Sequence, residues 1–157
     1  MDRLRVAALT DATGAQLAEV APVFDQYGQH YGEPAAPRQT LAWLTRCTRH
    51  GQLAIFTACR GQDLVGLATT VAVPASLQLG WYWQLRDLYV RPSARRCGAG
   101  RALVGAVRHA AAAAGATRLS VQTEPANTAA LQLYRTSGFI PVHGIEALIL
   151  PLRQDRT

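Results

Sequence analysis

The sequence contains no lysine, so all its positive charge comes from 16 arginines, which exceed the ten carboxylates and leave a net charge of +6 at neutral pH. It has only three cysteines, Cys47, Cys59 and Cys97. Their odd number and their lack of metal-ligand spacing argue against a disulfide framework and a zinc site. No apolar run approaches the length of a membrane span, and Met1–Arg5 is not followed by the core of a signal peptide. These absences predict a cytoplasmic protein that binds neither a metal nor a membrane.

The size and composition of the chain are those of an ordinary folded protein. It has 157 residues, of which 49% are hydrophobic and 17% are charged. One hydrophobic core suits this length, and the sequence shows no internal repeat and no linker. We therefore expect residues 1–157 to form a single domain.

The most informative stretch, residues 85–107, has the pattern of a strand, an arginine-rich turn and a helix. Leu88-Tyr89-Val90 favours a strand, and Pro92 ends it. The apolar residues beyond Gly100 have the spacing of a buried helical stripe. A turn that opens a helix presents free N–H groups and the positive end of the helix dipole. Because Gly98 and Gly100 let a ligand approach the backbone, the stretch predicts an anion site suited to a pyrophosphate.

Two common phosphate-binding motifs do not fit this stretch. The Walker motif requires Gly-Lys-Ser/Thr, which a chain without lysine cannot supply, and the dinucleotide fingerprint requires a third glycine where Leu103 stands. The pattern that matches is Arg-x-x-Gly-x-Gly, formed by Arg95, Gly98 and Gly100 directly after a strand. It resembles the acetyl-CoA-binding signature of the GCN5-related N-acetyltransferases, the GNAT family.

A second motif farther along the chain strengthens this resemblance. Asn127 is followed by Leu133-Tyr134 and Gly138-Phe139, which looks like the second family signature, Asn…Leu-Tyr-x-x-x-Gly-Phe. The resemblance covers most of the chain from Leu53 onward. It implies a three-layer α/β (α+β) fold, with a mixed, twisted sheet of about seven strands and helices on both faces. It also implies an N-acetyltransferase that moves the acetyl group of acetyl-CoA to a primary amine by direct attack.

Hydrophobic periodicity and turn residues predict the individual elements. The first helix is expected to begin after a cap at Thr10 or Thr13 and to run to about Tyr27, with a kink or break at Pro22. Residues 28–38 are expected to be irregular. The other predicted helices are residues 39–50, 98–114 and 127–137. The predicted strands are residues 5–9, 53–59, 64–73, 81–90, 118–123, 139–143 and 145–152.

The resemblance assigns coenzyme binding to residues of both motifs. In the family, the fourth and fifth strands splay apart, and the pantetheine arm lies in the gap between them. The alternative role of Asn127 is that of a helix cap. The alternative for Cys97 is that it occupies a variable position of the turn. The residues assigned to the coenzyme are Leu88, Tyr89, Val90, Arg95, Arg96, Cys97, Gly98, Ala99, Gly100, Arg101, Asn127 and Tyr134.

The catalytic candidates are one tyrosine and two carboxylates. Tyr134 matches the family tyrosine beside the thioester sulfur, where its phenol would protonate the leaving thiolate; the alternative is a core aromatic. Asp87 is the leading candidate for the general base, because it is expected to share a strand face with Leu85 and Tyr89. The alternative role of Asp87 is structural, as a hydrogen-bond anchor for neighbouring backbone or an arginine. Glu124 is the second candidate for the base, or else a helix-entry carboxylate.

The expected acceptor is an amine on a small molecule or a peptide. Its predicted site combines aromatic walls with polar groups, namely Tyr27, His30, Tyr31 and Glu33. Two other readings stay open. The first is a related acyltransferase that uses aminoacyl-tRNA, since six of the arginines lie between Arg86 and Arg108 and would also suit nucleic acid. The second is a non-catalytic acyl-CoA binder. The last two strands also offer a way for two copies to pair as a homodimer.

Overall fold

The computed structural model describes residues 3–152. The strands are β1 (Leu4–Leu9), β2 (Ala54–Arg60), β3 (Asp63–Ala75), β4 (Gly80–Val90) and β5 (Leu119–Val121). The helices are α1 (Gly14–His30), α2 (Pro37–Arg49), α3 (Ala99–Ala113) and α4 (Thr128–Thr136), with short 3-10 turns at Ser76–Gln78 and Pro92–Ala94. None of the helices in this part of the chain has both the length and the apolar character that crossing a membrane requires.

The five strands form one mixed sheet in the order β1-β2-β3-β4-β5. The first four strands are antiparallel neighbours, joined in sequence. Strand β5 joins β4 in parallel, because α3 carries the chain back across the sheet before β5 begins. The predicted mixed sheet is therefore confirmed, with five strands in the described residues rather than about seven.

Alternating side chains of the central strands pack against helices on both faces of the sheet. Ile55 and Leu67 belong to a core cluster with α1 and α2, whereas Phe56 and Ala68 belong to a cluster with α3 and Tyr134 of α4. This alternation is the period of two that a strand buried on both sides requires. The predicted arrangement of helices on both faces is confirmed.

Helix α1 is longer than the sequence predicts. Thr13 caps it: its Oγ1 accepts from the N–H of Gln16 at 3.2 Å, and the Gln16 side chain accepts from the N–H of Thr13 at 2.9 Å. Of the predicted kink or break at Pro22, the break does not occur, since the helix continues to His30. Pro22 lies on the exposed face, where solvent can satisfy the carbonyl that its missing N–H leaves without a partner. The extension places His30 on a helix rather than in an irregular segment.

The two strands predicted at residues 139–143 and 145–152 are absent from the structure through residue 152. The segment has the apolar pattern of strands, but a strand also needs a neighbouring edge to pair with. Strand β5 is also shorter than the predicted 118–123, because its pairing with β4 ends at Leu85 and Val121.

Candidate active site

Strands β4 and β5 separate at the point where the two predicted motifs meet. Their parallel pairing covers only Trp83 to Leu85 of β4, although β4 continues to Val90. Along this continuation β4 stays paired with β3 on its other side. Residues 86–90 therefore have one open edge, which faces a gap in the sheet.

Backbone groups of β4 point into this gap. The N–H of Arg91 donates to the carbonyl of Val65, a residue of β3, at 2.9 Å. The Arg91 amide therefore points towards β3. Because successive residues of a strand direct their amides to opposite sides, the N–H groups of Leu88 and Val90 face the gap. The Val90 carbonyl accepts from Nε of Arg95 at 3.1 Å. The gap thus offers unpaired main-chain donors.

A β-bulge changes which face of β4 each side chain occupies. Thr69 pairs with Asp87 and Thr70 pairs with Leu85, so Arg86 has no residue opposite it. As a result Leu85 packs with α3, whereas Tyr89 packs on the opposite face with α1 and α2. The prediction that Asp87 shares one face with both Leu85 and Tyr89 is therefore wrong. The bulge directs Asp87 towards α1.

On that face Asp87 is hydrogen-bonded to Thr69 and acts electrostatically on Tyr27. Its Oδ2 accepts a hydrogen bond from Oγ1 of Thr69, a fully buried residue of β3. Burial, and then the Asp87 carboxylate hydrogen-bonded to it, raise the pKa of Tyr27 above its ordinary value. The Tyr27 phenol therefore stays protonated at neutral pH. Sequence reasoning missed Thr69, because only the strand register brings it to Asp87.

Aromatic rings around Tyr27 form one wall of a cleft. The Tyr27 ring centroid lies 5.2 Å from that of Tyr31 and 5.8 Å from that of Tyr89. The ring centroid of His30 lies 5.4 Å from that of Tyr31 and 6.3 Å from that of Tyr89. The structure thus brings together three of the four predicted substrate residues, and it adds the Tyr89 side chain. Glu33, the fourth, is exposed and does not line the cleft.

The opposite end of the cleft is the arginine turn, residues 91–98, with the start of α3. Arg96 and Gly98 both adopt left-handed backbone conformations, with φ of 62° and 84°. Gly98 is the N-terminal cap residue of α3 and provides no side-chain hydrogen bond. The N–H groups of Ala99, Gly100 and Arg101 therefore have no acceptor within the helix. These unpaired N–H groups lie at the positive end of the helix dipole, and three arginines line the same end of the cleft.

The cleft that joins these two ends has a volume of about 510 Å³. The predicted site residues that line it are Tyr27, His30, Tyr31, Leu88, Tyr89, Val90, Arg95, Arg96, Gly98, Ala99, Gly100, Arg101 and Asn127. Those that do not line it are Glu33, Asp87, Cys97, Glu124 and Tyr134. Asp87 lies behind the cleft wall, close enough to Tyr27 for its negative charge to raise the pKa of that phenol.

Tyr134 lies in the core beside the cleft, with 8% of its surface exposed. Its ring packs edge-on against Phe139, with 5.5 Å between centroids. Burial, together with the nearby Tyr31, raises its pKa to about 12. The phenol therefore keeps its proton through neutral and moderately alkaline pH, as a proton donor requires.

The remaining predicted residues have structural contacts. Oδ1 of Asn127 accepts from the N–H of Ala130 at 3.2 Å and caps α4, so Asn127 both caps a helix and lines the cleft. Glu124 is exposed, and its carbonyl accepts from the N–H of Asn127 at 3.0 Å in the turn before α4. The Cys97 thiol is exposed and donates to the Arg95 carbonyl at 3.4 Å.

Comparison with known proteins places the chain among acetyltransferases. The model of the acetyltransferase (GNAT) family matches residues 18–139. An uncharacterized N-acetyltransferase of Bacillus subtilis, YhfO, is 30% identical over 131 residues, which cover 83% of this chain and 88% of the relative. A probable acetyltransferase of Haemophilus influenzae is 34% identical over 76 residues, which cover 48% of this chain and 52% of the relative.

Solved structures share the fold. The crystal structure of a probable acetyltransferase superposes with a TM-score of 0.87 and 26% identity, covering 96% of this chain and 99% of the other. An aminoglycoside acetyltransferase from an uncultured soil metagenomic sample, in complex with sisomicin, has a TM-score of 0.80 and 16% identity, with 96% and 97% of the two chains covered.

Proposed function

This chain belongs to the acetyltransferase (GNAT) family and is an N-acetyltransferase, and we propose that it transfers the acetyl group of acetyl-CoA to a primary amine of a small molecule or peptide. The observation that carries this proposal is the shape of the cleft. It joins the uncapped start of α3, at one end, to the aromatic wall backed by Asp87, at the other. An anionic carrier and a cationic acceptor would thus enter from opposite ends.

The arginine turn has the donors that the diphosphate of coenzyme A requires. Gly98 and Gly100 both line the cleft and carry no side chain. The backbone amides of α3 are therefore reachable by phosphate oxygens, and Arg95, Arg96 and Arg101 add positive charge. The gap beside Leu88 and Val90 suits the amides of the pantetheine arm. Bound acetyl-CoA supplies an activated acetyl thioester.

Two groups suit the chemistry at the thioester: the main-chain N–H groups of β4 that face the gap, and the phenol of Tyr134. An N–H of Leu88 or Val90 would stabilise negative charge on a carbonyl oxygen held in the gap. The Tyr134 phenol would donate its proton to the sulfur that leaves.

Asp87 and Tyr27 together suit the role of the base. A primary amine has a pKa near ~10 and is protonated at neutral pH, so it must lose a proton before it attacks. Tyr27 lines the cleft, and the Asp87 carboxylate lies close enough behind it to raise the pKa of the phenol. As the Tyr27 hydroxyl takes a proton from the ammonium, it passes its own proton to Asp87. Thr69 holds the carboxylate in position for this transfer.

The Asp87→Asn variant is expected to lower kcat/KM for the amine by roughly 10²–10⁴-fold at pH 7, the usual contribution of a general base. Activity should recover as the pH rises towards the pKa of the amine, because the free amine then needs no base. Steady-state rates between pH 6 and 10 would measure this. The exposed Asp63, replaced by asparagine, is the matched control. A pH-independent loss in Asp87→Asn would instead mean that the carboxylate only anchors Thr69.

A thermal-shift experiment tests the donor. Acetyl-CoA at 100 times its dissociation constant should stabilise the protein by about 2.7 kcal/mol, which raises the melting temperature by roughly 5–10 °C for a chain of this size. Deacylated and aminoacylated tRNA should produce no such shift. No response to acetyl-CoA, together with salt-sensitive binding of tRNA, would contradict the proposal and favour an aminoacyl-tRNA donor.

A further inference from the structure

The aromatic end of the cleft is poor in negative charge. Its rings belong to Tyr27, His30, Tyr31 and Tyr89. Among residues 3–152, no aspartate or glutamate lines the cleft, and the arginines that line it lie at the other end. An acceptor with several positive charges would therefore meet arginines along the cleft and no carboxylate in its walls.

Two carboxylates that are close in sequence to these rings have other surroundings. Oδ1 of Asp25 accepts from the N–H of Ala36 at 2.9 Å and from Oγ1 of Thr40 at 3.1 Å, which fastens the segment between α1 and α2. Glu33 is exposed and lies outside the cleft lining. The carboxylate that acts on a ring of the wall is Asp87, behind Tyr27. One negative charge of this kind suits one ammonium group.

The aromatic wall is supported from behind and open at its outer end. The Tyr27 ring centroid lies 5.7 Å from that of Phe24, which lies 5.7 Å from that of Trp43 on α2. Tyr89 is buried in the sheet, whereas Tyr31 is 55% exposed. Packed rings keep their positions without a ligand, so the wall is a preformed surface with one accessible ring at its mouth.

Such a wall can recognise both parts of an aromatic amine. Aromatic rings pair edge-to-face or offset at centroid distances of about 4.5–7 Å, the range already present within the wall. The face of a tyrosine ring also attracts an ammonium group, without needing a carboxylate beside it.

We infer that the acceptor is an arylalkylamine, a molecule with one amino group on an aromatic body, and this inference rests on the proposed transfer to a primary amine. The body packs against Tyr31 and Tyr89, and the ammonium lies at Tyr27 with Asp87 behind it. A second ammonium would lose its water against rings that give it no partner, which is costly for a charged group. Polyamines and other polycations are therefore poor acceptors.

Two matched pairs of amines test this with the wild-type enzyme and saturating acetyl-CoA, by release of free thiol. Hexylamine and 1,6-diaminohexane differ by one amino group, and the diamine should have a kcat/KM at least about tenfold lower. The compounds 2-phenylethylamine and 2-cyclohexylethylamine differ in aromaticity, and the first should have a kcat/KM roughly 2- to 12-fold higher.

Substitutions of Tyr31 test whether the wall sets these ratios. Tyr31→Ala should lower the preference for the phenyl over the cyclohexyl compound roughly 2- to 12-fold. Tyr31→Glu should reduce the preference for hexylamine over the diamine at least about fivefold, because it supplies the missing negative charge. Trp81→Ala is the matched control, since Trp81 is also 55% exposed but does not line the cleft, and it should keep both ratios.

The outcomes separate this inference from the proposed function. Transfer to the diamine as fast as to hexylamine, equal transfer to the phenyl and cyclohexyl compounds, or ratios that both Tyr31 variants leave unchanged would overturn the arylalkylamine assignment and leave amine acetylation standing. Binding of acetyl-CoA with no transfer to any of these amines would overturn both.

Discussion

Replacing Gly100 with valine is expected to lower the affinity for acetyl-CoA by at least about 100-fold, a loss of about 2.7 kcal/mol. Gly100 lies in the first turn of α3, where the backbone amides lack partners. An added Cβ would approach Cδ2 of Leu133, which lines the cleft, to 3.3 Å, so we expect the valine side chain to crowd the cleft beside these amides. Isothermal titration calorimetry with acetyl-CoA measures the change.

Gly105→Val is the matched control for this experiment. Gly105 lies in the same helix, and a Cβ added there meets nothing within 4 Å. Both variants carry the same cost of placing a β-branched residue in a helix, but only Gly100→Val blocks the amides. Wild-type affinity in Gly100→Val would mean that the coenzyme does not bind at the start of α3.

Replacing Tyr134 with phenylalanine is expected to lower kcat by roughly 10²–10⁴-fold, the usual contribution of a general acid, while the dissociation constant for acetyl-CoA changes little. The substitution removes one hydroxyl and keeps the ring that packs on Phe139. Stopped-flow detection of free thiol measures turnover, and calorimetry measures binding. Equal turnover in the variant would assign Tyr134 to packing alone.

The pH dependence of the wild-type enzyme provides a second readout of the same group. Burial raises the pKa of Tyr134 to about 12, so the phenol keeps its proton below that value. The wild-type rate should therefore not fall between pH 8 and 10 through loss of this acid. Tyr82→Phe controls for the loss of one phenol outside the site, because Tyr82 does not line the cleft. Its ring lies under the Arg118 guanidinium, with 3.9 Å from Cζ to the ring centroid.

The parts of the site that depend only on residues close together in the sequence were predictable. The turn from Arg95 to Gly100 is local, and its glycines and arginines indicate an anion site before any tertiary structure is known. The cap at Asn127 and the helix after it are local in the same sense. A pattern of this kind fixes the backbone within one or two turns, and both helices begin where the pattern predicts.

The parts that depend on strand register were not predictable. The bulge at Arg86 moves Asp87 and Tyr89 to the face opposite Leu85, and Thr69 reaches Asp87 only through that register. Alternation along a strand cannot reveal a bulge, since one extra residue reverses the pattern. The predicted strands after Phe139 failed for a related reason. Their apolar pattern is present, but a strand forms only by pairing with another strand, and residues 139–152 pair with none in the described part of the chain.

A crystal structure with bound coenzyme A tests the central claim most directly. The account predicts diphosphate oxygens within hydrogen-bond distance of the N–H groups of Ala99, Gly100 and Arg101, and a sulfur that lies beside the Tyr134 hydroxyl. A diphosphate bound elsewhere on the chain, with the start of α3 in contact only with solvent, would contradict it.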